Sequence, residues 1–81
     1  MMHRELFQLD ARTSVEAVVG DDRSYHLCLW HDGELLIEFA CDGGEIHHRR
    51  VRERTSAYEF RSVEQLRYDF EREIETLVGE R

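Results

Sequence analysis

Two apolar runs of equal length, residues 24–30 (SYHLCLW) and 34–40 (ELLIEFA), flank the dipeptide Asp32-Gly33. A two-residue type I′ hairpin turn needs positive φ at both central positions, and Asp-Gly is among the few pairs that adopt it at little cost. The flanking runs are rich in aromatic and branched side chains that suit a pleated, half-buried surface. The pattern predicts a β-hairpin with strands over 24–31 and 34–41.

The rest of the chain organises around that hairpin. Pro is absent, so reversals must come from Gly and Asp. Gly20-Asp21-Asp22-Arg23 closes a strand over 15–19 (VEAVV), and Asp42-Gly43-Gly44 turns the chain into a further strand over 45–52 (EIHHRRVR). Shorter extended pieces are expected at 5–9 and 57–60. The last element reads as a helix over 63–78. Ser62 and Gln65 have the spacing of a capping box, in which each side chain satisfies the other's backbone N–H. Val63, Leu66, Phe70, Ile74 and Leu77 then recur at three or four residues as one apolar stripe. The 81 residues fit a single domain over 1–81. The expected class is α+β, a four- to five-stranded antiparallel meander followed by one C-terminal amphipathic helix packed on one sheet face.

Continued as a regular ladder, the Asp32-Gly33 turn pairs Trp30 with Leu35, Cys28 with Ile37 and His26 with Phe39, and opposed residues share a face. The other face carries Leu29, Leu36, Leu27, Glu38, Tyr25 and Ala40. Both faces are then largely apolar, whereas one helix of about 24 Å covers only one. The second face must be closed by the N-terminal arm (Leu6, Phe7, Leu9), by a second copy or by another protein, because a monomer rarely exposes more than a few hundred Å² of contiguous apolar surface. Self-association as a homodimer through Trp30, Leu35, Ile37, Phe39 and His26 is the expectation.

Five His and two Cys raise the question of a metal. In this register Phe39 separates His26 from His48, and Ile37 separates Cys28 from Arg50. The ligands do not converge, so neither a metal site nor a cofactor is expected. No GxSxG, HExxH or glycine-rich phosphate loop occurs. Cys28, in mid-strand among apolar residues, lacks the surroundings of a reactive thiolate. No catalytic residue is assigned, and the chain reads as a non-enzyme.

The net charge is −7, from 11 basic residues, all Arg, and 18 acidic ones. Residues 45–54 run against that trend, with Arg49, Arg50, Arg52 and Arg54 opposed only by Glu45 and Glu53. An arginine-rich strand of this kind could contact phosphates, which makes a nucleic-acid contact module the alternative reading. The acidity of the whole chain argues against it. The helix carries Glu64, Asp69, Glu71, Glu73 and Glu75 on its polar side, a face suited to a basic protein partner. The expected function is that of a small acidic binding protein, an inhibitor or adaptor. Some phage and plasmid inhibitors of the anti-CRISPR and immunity type use the same physics. No apolar run approaches the ~20 residues of a membrane span. The opening Met1-Met2-His3-Arg4-Glu5 lacks the layout of a secretion signal, so a cytoplasmic location and no membrane association are expected.

Overall fold

A computed structural model describes residues 3–79 of the chain. Its strands are β1 (His3–Gln8), β2 (Thr13–Val19), β3 (Ser24–His31), β4 (Glu34–Asp42), β5 (His48–Val51) and β6 (Arg54–Ala57), followed by the helix α1 (Val63–Gly79). The six strands form one antiparallel sheet in chain order, β1-β2-β3-β4-β5-β6. The α+β meander-plus-helix architecture is therefore present, with more strands than expected.

The central hairpin turns where its sequence demands. Asp32 (φ 53°) and Gly33 (φ 77°) both take positive φ, and His31 opposes Glu34 and Trp30 opposes Leu35. Beyond that pair the ladder slips. Leu29 pairs with Ile37, Cys28 with Glu38 and Leu27 with Phe39, so Leu36 is an extra residue in β4. A bulge of this kind lets two neighbouring side chains point the same way. Leu36 and Ile37 both pack into the core, while Leu35 stays beside Trp30 on the opposite face. The shared apolar face expected from a regular hairpin does not exist: Ile37 and Phe39 are completely buried with the helix.

The next connection departs in the same direction. Gly43-Gly44 does not form a two-residue turn. The chain runs through a loop to His47, whose carbonyl accepts a hydrogen bond from the Tyr58 N–H at 3.1 Å. β5 therefore begins at His48, not at Glu45, and pairs Ala40 with His48, Phe39 with Arg49, Glu38 with Arg50 and Ile37 with Val51. Arg52-Glu53 then reverse the chain into β6, over 54–57 rather than 57–60. At the other edge, the N-terminal segment is β1, paired in register with β2. It does not lie across the open face of the sheet.

α1 covers one face. The Ser62 Oγ accepts the Gln65 N–H at 3.0 Å, which is half of the expected capping box. The Gln65 side chain turns instead to Asp69, donating to Oδ1 at 2.9 Å, and Tyr58 OH donates to the other oxygen at 2.6 Å. Leu66 and Phe70 are buried, Ile74 and Leu77 pack at the margin of the core, and Val63 stays exposed. Phe39 is the centre of the packing, edge-on to Phe70 at 5.7 Å and to Tyr58 at 5.0 Å between ring centroids. No helix among the described residues is long and apolar enough to cross a membrane.

Candidate functional site

The bulge decides which side chains meet on the uncovered face. Side chains two apart on a strand share a face, so His26, Cys28 and Trp30 of β3 join Leu35, Glu38 and Ala40 of β4 and His48 and Arg50 of β5. Glu38 stands between Cys28 and Arg50, and Ala40 between His26 and His48. The Glu38 carboxylate reaches both imidazoles, with Oε2 2.5 Å from His26 Nε2 and Oε1 3.5 Å from His48 Nε2. Cys28 Sγ lies 3.3 Å from the same His26 nitrogen. Arg50 turns away, its Nε donating to the Arg52 carbonyl at 3.0 Å. Glu16, facing Cys28 from β2, pairs with Arg4 at 2.5 Å.

The electrostatics of this cluster are uneven. Burial, with added repulsion from Glu38 and Glu16, pushes the Cys28 thiol up to about 12. At neutral pH it is a protonated thiol, not a nucleophile. Burial would raise the Glu38 carboxyl too, but hydrogen bonds and charges from His26 and His48 outweigh it and hold the group below its ordinary value. His26 and His48 are partly open to solvent, whereas Cys28 is fully enclosed at the floor of the cluster.

Polar groups therefore interleave with Trp30, Leu35 and Ala40 on this face, in contrast to the continuous apolar surface expected from the sequence. Of the five residues assigned to an interface, Trp30, Leu35 and His26 share the open face. Ile37 and Phe39 are 0% exposed beneath α1.

The unfilled apolar surface lies on the helix side. α1 sits towards β4, leaving a groove of about 420 Å³ between itself and β1–β2, floored by Val15, Ala17 and Leu27. Phe7 (52% exposed), Leu9 (53%) and Val63 (40%) stand around it. Its rim holds Glu5, Glu71 and Glu75. Arg67, the one basic rim residue among those described, binds Glu5 at 2.8 Å. That bond, followed by His3, holds the Glu5 carboxyl below its ordinary value.

The arginines of 49–54 line one cleft beside β5 and β6, but they share it with Glu34, Glu53 and Glu73. Arg49 points to the helix side, 3.9 Å from Glu73, Arg50 points to the open face, and Arg52 occupies the β5–β6 turn. Arg54 opposes Val51 on the edge strand. A second imidazole–thiol contact also escaped the sequence reading. His47, Tyr25 and Phe60 form a triangle of rings with centroids 5.2–5.7 Å apart; His47 Nδ1 shares a 2.9 Å hydrogen bond with Tyr25 OH and its Nε2 lies 3.9 Å from Cys41 Sγ. Cys41 is buried and bonds the Gly44 carbonyl, so this group braces the 43–47 loop. The spacing of His26, Cys28 and Trp30 did place those three on one face. The regular register also put His48 on that face, with Phe39 between it and His26; the bulge puts Ala40 in that place and brings Glu38 across from Cys28.

No family model, curated protein or solved structure matches the chain.

Proposed function

We propose that this chain is a small, acidic, non-enzymatic binding protein that takes a basic-flanked apolar segment of a partner protein into the groove between α1 and β1–β2, as an inhibitor or adaptor of that partner. The observation that carries the reading is the groove itself, where Phe7, Leu9 and Val63 remain exposed around an apolar floor and acidic groups line the rim. Apolar anchors entering such a cleft provide affinity. Glu71 and Glu75 select for basic flanks and speed encounter, an effect that weakens with salt. β1 adds a free sheet edge beside the groove, along which an extended segment can pair.

The test is selection of a phage-displayed random peptide library on the immobilised protein. Enriched peptides should combine apolar and basic residues, and their binding should fall with added salt. It should also be lost in Phe7→Glu and Val63→Glu variants that keep their circular dichroism. Enrichment of acidic peptides, or binding indifferent to both substitutions, overturns the proposal.

Self-association through the open face is a second reading, resting now on Trp30, Leu35, the exposed Leu6 and the half-buried Val18 and Ala40. Sedimentation equilibrium distinguishes the two. A dimer disrupted by Trp30→Asp but not by Phe7→Glu supports the homodimer. The arginine-strand contact with nucleic acid has weaker support, because the cleft that Arg49, Arg50, Arg52 and Arg54 line also holds Glu34, Glu53 and Glu73.

A further inference from the structure

We infer that His26, Cys28, Glu38 and His48 form a binding site for one divalent transition-metal ion of zinc-like character, held over Ala40 on the open face of the sheet. His26, Cys28 and Glu38 place their ligand atoms within 4.8 Å of one another. His48 lies outside that mutually close trio but approaches the same carboxylate from β5, its Nε2 3.5 Å from Glu38 Oε1, so its ring must swing inward to complete four ligands.

The donor set selects the cation. Two imidazoles, a thiol and a carboxylate suit zinc and its borderline neighbours, whereas calcium and magnesium take oxygen ligands throughout. The nitrogen–sulfur distance agrees with a tetrahedral ion once the His26 ring rotates, since Cys28 Sγ lies nearly as close to Nδ1, at 3.5 Å. Bonds of about 2.0 Å to nitrogen and 2.3 Å to sulfur put those two ligands about 3.5 Å apart, against 3.3 Å between His26 Nε2 and Cys28 Sγ. The 2.5 Å contact of His26 with Glu38 is a hydrogen bond that must open to about 3.3 Å as an ion enters between the two groups.

The scaffold is suited to holding such a site. The four ligands project from three adjacent, hydrogen-bonded strands, so the sheet fixes their spacing before any ion arrives. Ala40, directly between the two histidines, keeps the space above it free of side chain. Cys28 is enclosed at the base, while the partly exposed histidines leave a path from solvent. The neighbouring charges are accounted for: Arg50 is tied to the Arg52 carbonyl and Glu16 to Arg4.

The experiment is a titration of the full chain, stripped of metal and kept reduced, with cobalt(II) followed by absorption. The expected result is saturation at one equivalent, with the intense visible bands of four-coordinate cobalt and a thiolate-to-cobalt charge-transfer band, all reversed by zinc(II). Cys28→Ser should remove the charge-transfer band. His26→Ala and His48→Ala, at partly exposed positions that preserve the fold, should each weaken cobalt binding about tenfold or more. Weak six-coordinate bands without charge transfer, or affinity unchanged in both histidine variants, overturn the inference. Neither outcome bears on the groove, which lies on the other face.

Discussion

Cys28 and Glu38 face each other directly across the β3–β4 ladder, a thiol at the floor of the open face beside a carboxylate that binds two histidines from the strands on either side. Burial and the negative charge of Glu38 keep the sulfur protonated, which removes thiolate catalysis from the cluster in its metal-free form. The same proximity supplies mixed nitrogen, sulfur and oxygen donors on a rigid support.

The division of faces predicts unequal responses to charge. Phe39→Asp places a carboxylate in a site with no solvent access, against Phe70 and Tyr58, and should abolish the folded state. Trp30→Asp, on the half-open face, should leave a folded chain. Circular dichroism and the dispersion of amide resonances read both outcomes; a folded Phe39→Asp variant would refute the packing described.

Deleting Leu36 should leave a folded protein with an uninterrupted hairpin. Removal of the extra residue keeps Trp30 opposite Leu35 and Leu29 opposite Ile37, so every other side chain retains its face. The loss comprises one half-buried leucine and the 2.7 Å bond from the Arg52 N–H to the Leu36 carbonyl, about 2–4 kcal/mol in sum. Deleting Glu38 instead also absorbs the extra residue, but it leaves Leu36 opposite Leu29 and turns Ile37 onto the open face opposite Cys28, so it should lower the denaturation midpoint more than the Leu36 deletion does.

Tyr58 predicts a loss of stability in alkali. Burial, then its hydrogen bond to Asp69, raises the phenol above its ordinary value. A group raised on folding stabilises the native state fully below its unfolded pKa, about 10 for tyrosine, and that contribution falls as pH climbs from there towards the folded value. Tyr58→Phe should cost about 1 kcal/mol near neutral pH. The gap between wild type and variant should narrow steadily above about pH 10 in urea titrations; a constant gap would refute the assignment.

Arg23 occupies left-handed backbone, φ 69°, at the end of the β2–β3 turn. That conformation strains any residue with a Cβ and is open to glycine. Arg23→Gly should therefore raise stability by up to about 1 kcal/mol, read as a higher denaturation midpoint. A lower midpoint would show that the arginine side chain contributes more than its backbone strain costs.

The local signals were strong enough to be read without a structure. Asp32-Gly33 dictates a turn with two positive φ values, Ser62 caps a helix whose Leu66 and Phe70 face a core, and Gly and Asp mark the reversals of the meander as far as β5; the Arg52-Glu53 reversal into β6 carries neither. Each depends on residues within a few positions of one another, so each is written locally. Which face a strand residue occupies is not. Leu35, Leu36 and Ile37 are all apolar, and a one-residue slip moves a whole strand between faces, so the chain pattern alone suits a regular ladder and a bulged one equally. Only the packed molecule chooses between them. The bulge places Leu36, Ile37 and Phe39 together beneath Leu66 and Phe70, burying more apolar surface than the regular hairpin, which would leave Phe39 outside. The meeting of Cys28, Glu38, His26 and His48, and the groove left beside α1, follow from that choice.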